Sequence, residues 1–193
     1  MNDKELAAKP LRDHFTATAT RLLATLLIAG LFHSARAATP ETLIEQVHAN
    51  GARAVLDREY SNEERWRDLI HGVESGSDAW LQVAAALYAA SDAGASEELE
   101  SAVGEALAVH PSSVFRIAYP AFDASRVCGE PDRNDDRYRS ESSALRNVDG
   151  RIAAVERIRD VKLASAKKQC LDSLRASRVH LARPSEQDVD DRN

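Results

Sequence analysis

Apolar residues recur at helical spacing along nearly the whole chain, and this periodicity narrows the possible folds more than any other feature. Trp66, Leu69, Ile70 and Val73 fall at i, i+3, i+4 and i+7, and Trp80, Val83, Ala84 and Leu87 repeat the pattern one segment later. Leu99, Val103, Ala106, Leu107 and His110 form a further face, which Pro111 ends. Each stripe is too narrow to be buried by its own helix, so the helices must share a core. The breaks between them are a few residues long, which makes neighbours pack antiparallel. Aromatic residues are only 5% of the chain, which leans away from an aromatic-rich β-barrel. The spacing therefore predicts an all-α fold, a compact bundle or short HEAT-like array of about five to six helices. No self-similarity of about 34 or 40 residues marks a repeat family.

Local signals place the helix ends. Thr39-Pro40-Glu41 supplies an N-cap, a proline at the first helical position and an acid in the first turn, ahead of a stripe of Leu43, Ile44 and Val47. Gly51 reads as an interruption before Ala54 and Val55. Ser61 and Glu64 have capping-box spacing, Gly76 reads as a stop, and Ser77 or Asp78 as the next cap. Ser91-Asp92-Ala93-Gly94 marks another break. Val114 to Tyr119, bounded by Pro111 and Pro120, reads as a short helix, because one isolated strand makes no sheet. Ala121 to Arg139 holds Gly129, Pro131 and a run of charges from Asp132 to Arg137, and reads as a long surface loop. Leu145, Val148, Ile152, Val155, Leu163, Ala166, Cys170 and Leu174 fall within an arc of about 100° on a helical wheel, which predicts one long C-terminal amphipathic helix. Arg159 alone violates that stripe, and its stem is expected to lie along the core with the guanidinium reaching outward. The helical domain is expected over 38–182, with 183–193 a disordered tail.

The N-terminus reads as a signal peptide over 1–37. Arg12 and Arg21 flank an uncharged run from Leu22 to Phe32, and Ala35-Arg36-Ala37 has the small-x-small form of a cleavage site. The run is shorter than the roughly 20 apolar residues a membrane span needs, so no stable membrane anchor is expected after cleavage. Cleavage after Ala37 would remove five basic and three acidic side chains, taking the net charge from -6 to -8. A chain this acidic is a poor ligand for phosphate backbones, so no nucleic-acid partner is expected and a basic protein partner is favoured. The implied location is periplasmic or secreted.

Cys128 and Cys170 are the chain's two cysteines, and an even count in an oxidising compartment predicts a structural disulfide. Other chemical patterns are incomplete. His48, His71, His110 and His180 lack zinc-site spacing. Asp132, Asn134 and Asp136 imitate the start of a calcium loop, but Arg137 and Ser143 occupy the positions that need Gly and Glu. Ser165 and Lys168 match S-x-x-K without its companion motifs. No catalytic residue, metal site or cofactor is therefore assigned. Phe122, Arg133, Arg137 and Tyr138, in the loop from Ala121 to Arg139, are the expected binding residues, since buried aromatic and arginine side chains commonly dominate interfaces.

At Trp66, Asp78-Ala79-Trp80-Leu81, Ser91-Asp92-Ala93-Gly94, Leu99, Ala106-Leu107 and His110-Pro111 the chain resembles uncharacterised exported all-helical proteins of Gram-negative bacteria. Its plan is also similar to that of immunity proteins of type VI secretion effectors, which are small, exported, helical and held by one disulfide. The resemblance implies a protein acting by protein–protein interaction as an inhibitor, adaptor or immunity protein, and carries no residue roles. The alternative is a cell-envelope enzyme or enzyme subunit using acids such as Glu63, Glu64 and Asp68 with His71. A third reading is a purely structural envelope protein.

Overall fold

A computed structural model describes residues 38–183; the expected leader and the tail beyond Arg183 lie outside the described residues. The regular structure among those residues is entirely helical, as the periodicity predicts. Helix α1 (Pro40–Asn50) is capped by Thr39, whose hydroxyl accepts from the Thr42 backbone N–H while Thr42 returns the bond to Thr39. Gly51 ends α1 at φ +85°, a conformation open to glycine at little cost, and α2 (Ala52–Tyr60) starts at once. Helix α3 (Glu63–Glu74) is capped by Asn62 accepting from Arg65, one residue beyond the Ser61 expected for that role. Ser77 caps α4 (Asp78–Tyr88).

Helix α5 (Ala93–Val109) is the centre of the bundle, packing against α3 and α4 and against the elements that follow it. Pro111 opens the three-residue α6 (Pro111–Ser113), which runs into a π-turn over Val114–Ala118, so this segment is helical as expected. The expected loop of 121–139 contains two short elements, α7 (Ala124–Val127) and a 3-10 turn (Asp136–Tyr138), both started by an aspartate side chain that accepts a backbone N–H. Helix α8 (Glu141–Glu156) lies across α5, and the long α9 (Ala164–Leu181) folds back along α8.

The C-terminal stripe is therefore divided between two antiparallel helices. Leu145, Val148, Ile152 and Val155 belong to α8, and Ala166, Cys170 and Leu174 to α9. The segment between them, 157–163, is seven residues long. Seven residues fall about 20° short of two helical turns, so the stripe keeps its phase across the break. Asp160 restarts the chain after the break, its side chain accepting from the Lys162 N–H at the head of a 3-10 turn. Lys167 closes the end of α8 by donating to the Glu156 and Ile158 carbonyls at 2.7 and 2.9 Å. Arg159 consequently sits exposed in the turn, and the arginine that enters the core is Arg151, 1% exposed.

Cys128, at the end of α7, is bonded to Cys170 near the middle of α9, as expected; both are fully buried. The bond joins the irregular segment to the hairpin across 42 residues of sequence. Closing a loop of that length stabilises the fold by about 4 kcal/mol in the chain-entropy model. Replacing both cysteines with alanine should lower the unfolding free energy by about that amount, less any strain released. Denaturant titration of the variant beside the oxidised protein measures the difference.

Candidate functional site

The densest polar cluster is where α5, α8 and the 3-10 turn meet. Every third or fourth residue of α8 faces inward — Ala144, Val148, Arg151, Ala154 and Val155 — which puts a guanidinium in an apolar stripe. Its partner is Glu105 of α5: Arg151 Nη2 donates to Glu105 Oε1 at 2.5 Å. The other oxygen, Oε2, accepts from the Tyr138 hydroxyl at 2.7 Å and from Asn147 Nδ2 at 3.0 Å. One carboxylate on α5 thus binds both α8 and the surface segment. Gly104 makes room for this, since a Cβ there would stand 2.9 Å from Arg151 Nη1 and 3.1 Å from the Val127 carbonyl. Burial first, and then the hydrogen bond to Glu105, pushes the Tyr138 hydroxyl up to about 12.

This cluster corrects the expected binding residues. Phe122 is buried, stacked on Tyr88 with ring centroids 4.0 Å apart, and belongs to the core. Tyr138 turns its hydroxyl inward to Glu105. Arg137 is held by Asp135 and Glu74, each 2.7 Å or closer, and its guanidinium lies over the Tyr138 ring. Arg133 is exposed and donates to the Arg139 carbonyl at 2.9 Å. Alanine at Phe122 or Tyr138 would therefore damage the fold before it touched a partner. The structure leaves Arg133 and part of Arg137 as the surface members of the four.

The other sequence candidates stay apart. Glu63, Glu64, Asp68 and His71 are exposed along α3, with the two glutamates in its first turn, where they stabilise the helix dipole. Lys168 is paired with Asp172 at 2.6 Å and Ser165 is exposed. Among the described residues no three His, Cys, Asp or Glu side chains converge as metal ligands. A hollow of about 220 Å³ on α9 is lined by Lys167, Lys168 and Arg175, whose charges are all engaged within the chain.

A second polar site was not read from the sequence. An open groove of about 350 Å³ lies between α5, α7 and the segment that follows the disulfide. Glu97 and Glu100 come from α5, Arg126 from α7, and Glu130 and Asp132 from the segment after Cys128. Four carboxylates therefore face one guanidinium. Tyr88 donates to Glu100 Oε1 at 2.6 Å, and burial first, then that hydrogen bond, pushes its hydroxyl above the ordinary tyrosine value. Arg126 Nη1 stands 3.7 Å from Glu100 Oε2, beyond hydrogen-bond reach. His180 Nδ1 lies 2.6 Å from Glu130 Oε1, tying α9 to the rim. No known protein family, curated protein or solved structure matches this chain.

Two outcomes test the buried cluster. Glu105→Ala would leave the Arg151 cation buried without its carboxylate, which should cost about 3–5 kcal/mol. Amide hydrogen exchange across 135–147 should accelerate in that variant, because Tyr138 and Asn147 lose the same acceptor. The raised Tyr138 pKa has a defined sign. Its hydroxyl stabilises the fold fully below the unfolded tyrosine value of about 10, and that contribution is lost as the pH rises through about 12. A spectrophotometric titration should show a late phenolate step that Tyr138→Phe removes.

Proposed function

We propose that this is an exported, non-catalytic helical protein that works in the periplasm or as a secreted protein by binding a basic protein partner, as an inhibitor, adaptor or immunity protein does. The observation that carries the reading is the open groove, with four carboxylates against one guanidinium. Two further facts support it. The buried disulfide is compatible with an oxidising compartment. The chain is net acidic over its whole length, so its field attracts basic surfaces and repels phosphate backbones. No helix among the described residues is long and apolar enough to cross a membrane. The acidic candidates of the enzymatic alternative are exposed along α3.

The test is affinity capture from a periplasmic extract with the wild-type protein beside a Glu97→Lys/Glu130→Lys variant. Both positions are exposed, so the fold should persist, as circular dichroism would verify. The expected outcome is a stoichiometric basic partner on the wild-type protein that is lost from the variant. Failure to recover any stoichiometric partner, or equal retention by the variant, would overturn the reading.

A further inference from the structure

The net charge conceals a division along the chain. Residues 38–155 carry 21 acidic and 11 basic side chains, whereas 156–183, which close α8 and form the turn and α9, carry three acidic and eight basic. Ion pairs in this hairpin join Lys168 to Asp172, Arg175 to Glu156 and Arg178 to Asp149. They leave Arg157, Arg159 and Lys162 of the turn, all exposed, with no carboxylate partner among the described residues. Asp160, the one acid of the turn, accepts from the Lys162 backbone N–H. Lys167 donates to the Glu156 and Ile158 carbonyls, which fixes the turn without cancelling a charge. Between the three cations stands Val161, 84% exposed, more so than any other large apolar side chain among the described residues. Ile158 and Leu163 on either side pack against the core, so the turn is held from within and presents the valine outward. The acidic rim lies elsewhere, since Glu130 is bound by His180, about 25 Å along α9 from the turn. That is several times the Debye length of about 8 Å at physiological ionic strength, so the rim barely offsets the cations of the turn.

We infer that this turn is a contact for an anionic lipid surface, with Arg157, Arg159 and Lys162 meeting headgroup phosphates and Val161 entering the interface between them. The combination of groups selects the occupant. A polyanion in water would use the cations and leave the valine in solvent, whereas the edge of a bilayer offers negative charge and apolar depth together. The guanidinium fork suits a phosphate in particular, because it places two parallel N–H donors on two oxygens. The contact is peripheral and reversible. Three cations and one valine fall well short of an anchor, and no helix among the described residues is long and apolar enough to cross a membrane. The inference goes beyond the interaction reading and uses no residue that lines the groove, so either can fail alone.

The probe is vesicles of phosphatidylglycerol and phosphatidylcholine in equal parts, beside vesicles of phosphatidylcholine alone. Each is sedimented with the disulfide-bonded chain from Ala38 to Asn193, which holds the whole described bundle. Binding is expected to the anionic vesicles and not to the neutral ones, and it should weaken as salt is raised. Each basic side chain near such a surface contributes about a fivefold gain in partition, so Arg157→Gln/Arg159→Gln/Lys162→Gln should lower it by about a hundredfold. Val161→Ser should lower it by about tenfold with every charge in place, which a purely electrostatic contact would not show. All four positions are exposed, so both variants should keep the fold, as circular dichroism would verify; if one does not, the other decides. No binding to the anionic vesicles, equal binding to the neutral ones, or undiminished binding by either folded variant would each overturn the inference. Self-association of the wild-type chain without vesicles, abolished by the triple substitution, would assign the turn to a second copy of the chain and overturn it as well.

Discussion

Glu105 joins three elements of this chain, α5, α8 and the surface segment, with one carboxylate. It sits on the central helix α5, neutralises Arg151 of α8, and accepts from Tyr138 of the surface segment and Asn147 of α8. A guanidinium 1% exposed in an apolar stripe is tolerable only because that acceptor is in place. The geometry leaves residual costs, since Arg151 Nε and Asn147 Oδ1 are buried without a hydrogen-bond partner. Such unmatched atoms cost on the order of 1–3 kcal/mol each, so this cluster specifies an arrangement more than it adds net stability. What it specifies is the docking of α8 on α5, and α9 then packs on α8.

The disulfide performs the complementary task at the other side of the irregular segment. Cys128 ties its beginning to α9, while Tyr138 ties its end to Glu105. Arg137, gripped by Asp135 and Glu74, adds a third attachment, to α3. Residues 129–135 are left spanning two fixed points, and they form one wall of the acidic groove, opposite α5. A segment rich in charge, with glycine and proline, would otherwise lose much conformational entropy on taking one conformation. Fixing both of its ends lowers that cost beforehand.

Helix content, most helix ends and the disulfide were legible in the sequence because each rests on local pattern or on cysteine count. The hairpin between α8 and α9 was not. Seven residues preserve the helical phase, so Leu163 and Ala166 continue the wheel of Ile152 although the chain has reversed direction between them. Asp160, a capping residue beside the stripe, carried a local sign of the break, as did Arg159 within it. Phe122 looked available because it falls in a segment read as a surface loop; it is buried by stacking on Tyr88, which lies on α4. The groove was invisible for the same reason. Glu130 and Asp132 read as part of a long surface loop, and packing of α7 against α5 brings them beside Glu97 and Glu100.

Glu100 and Glu105 of α5 differ in how far the fold completes their hydrogen bonding and pairing. Glu105 and Glu100 are separated by little more than one helical turn, and both accept a tyrosine hydroxyl, from Tyr138 and Tyr88 respectively. Glu105 also receives a fully buried guanidinium at 2.5 Å, which closes its coordination inside the protein. Glu100 receives only a distant and exposed one at 3.7 Å. Coulomb attraction weakens with both distance and solvent screening, so the second pairing compensates burial far less than the first. Glu100 instead keeps its outer oxygen at the groove beside Arg126, so one helix carries a carboxylate closed inside the fold and another turned toward the surface.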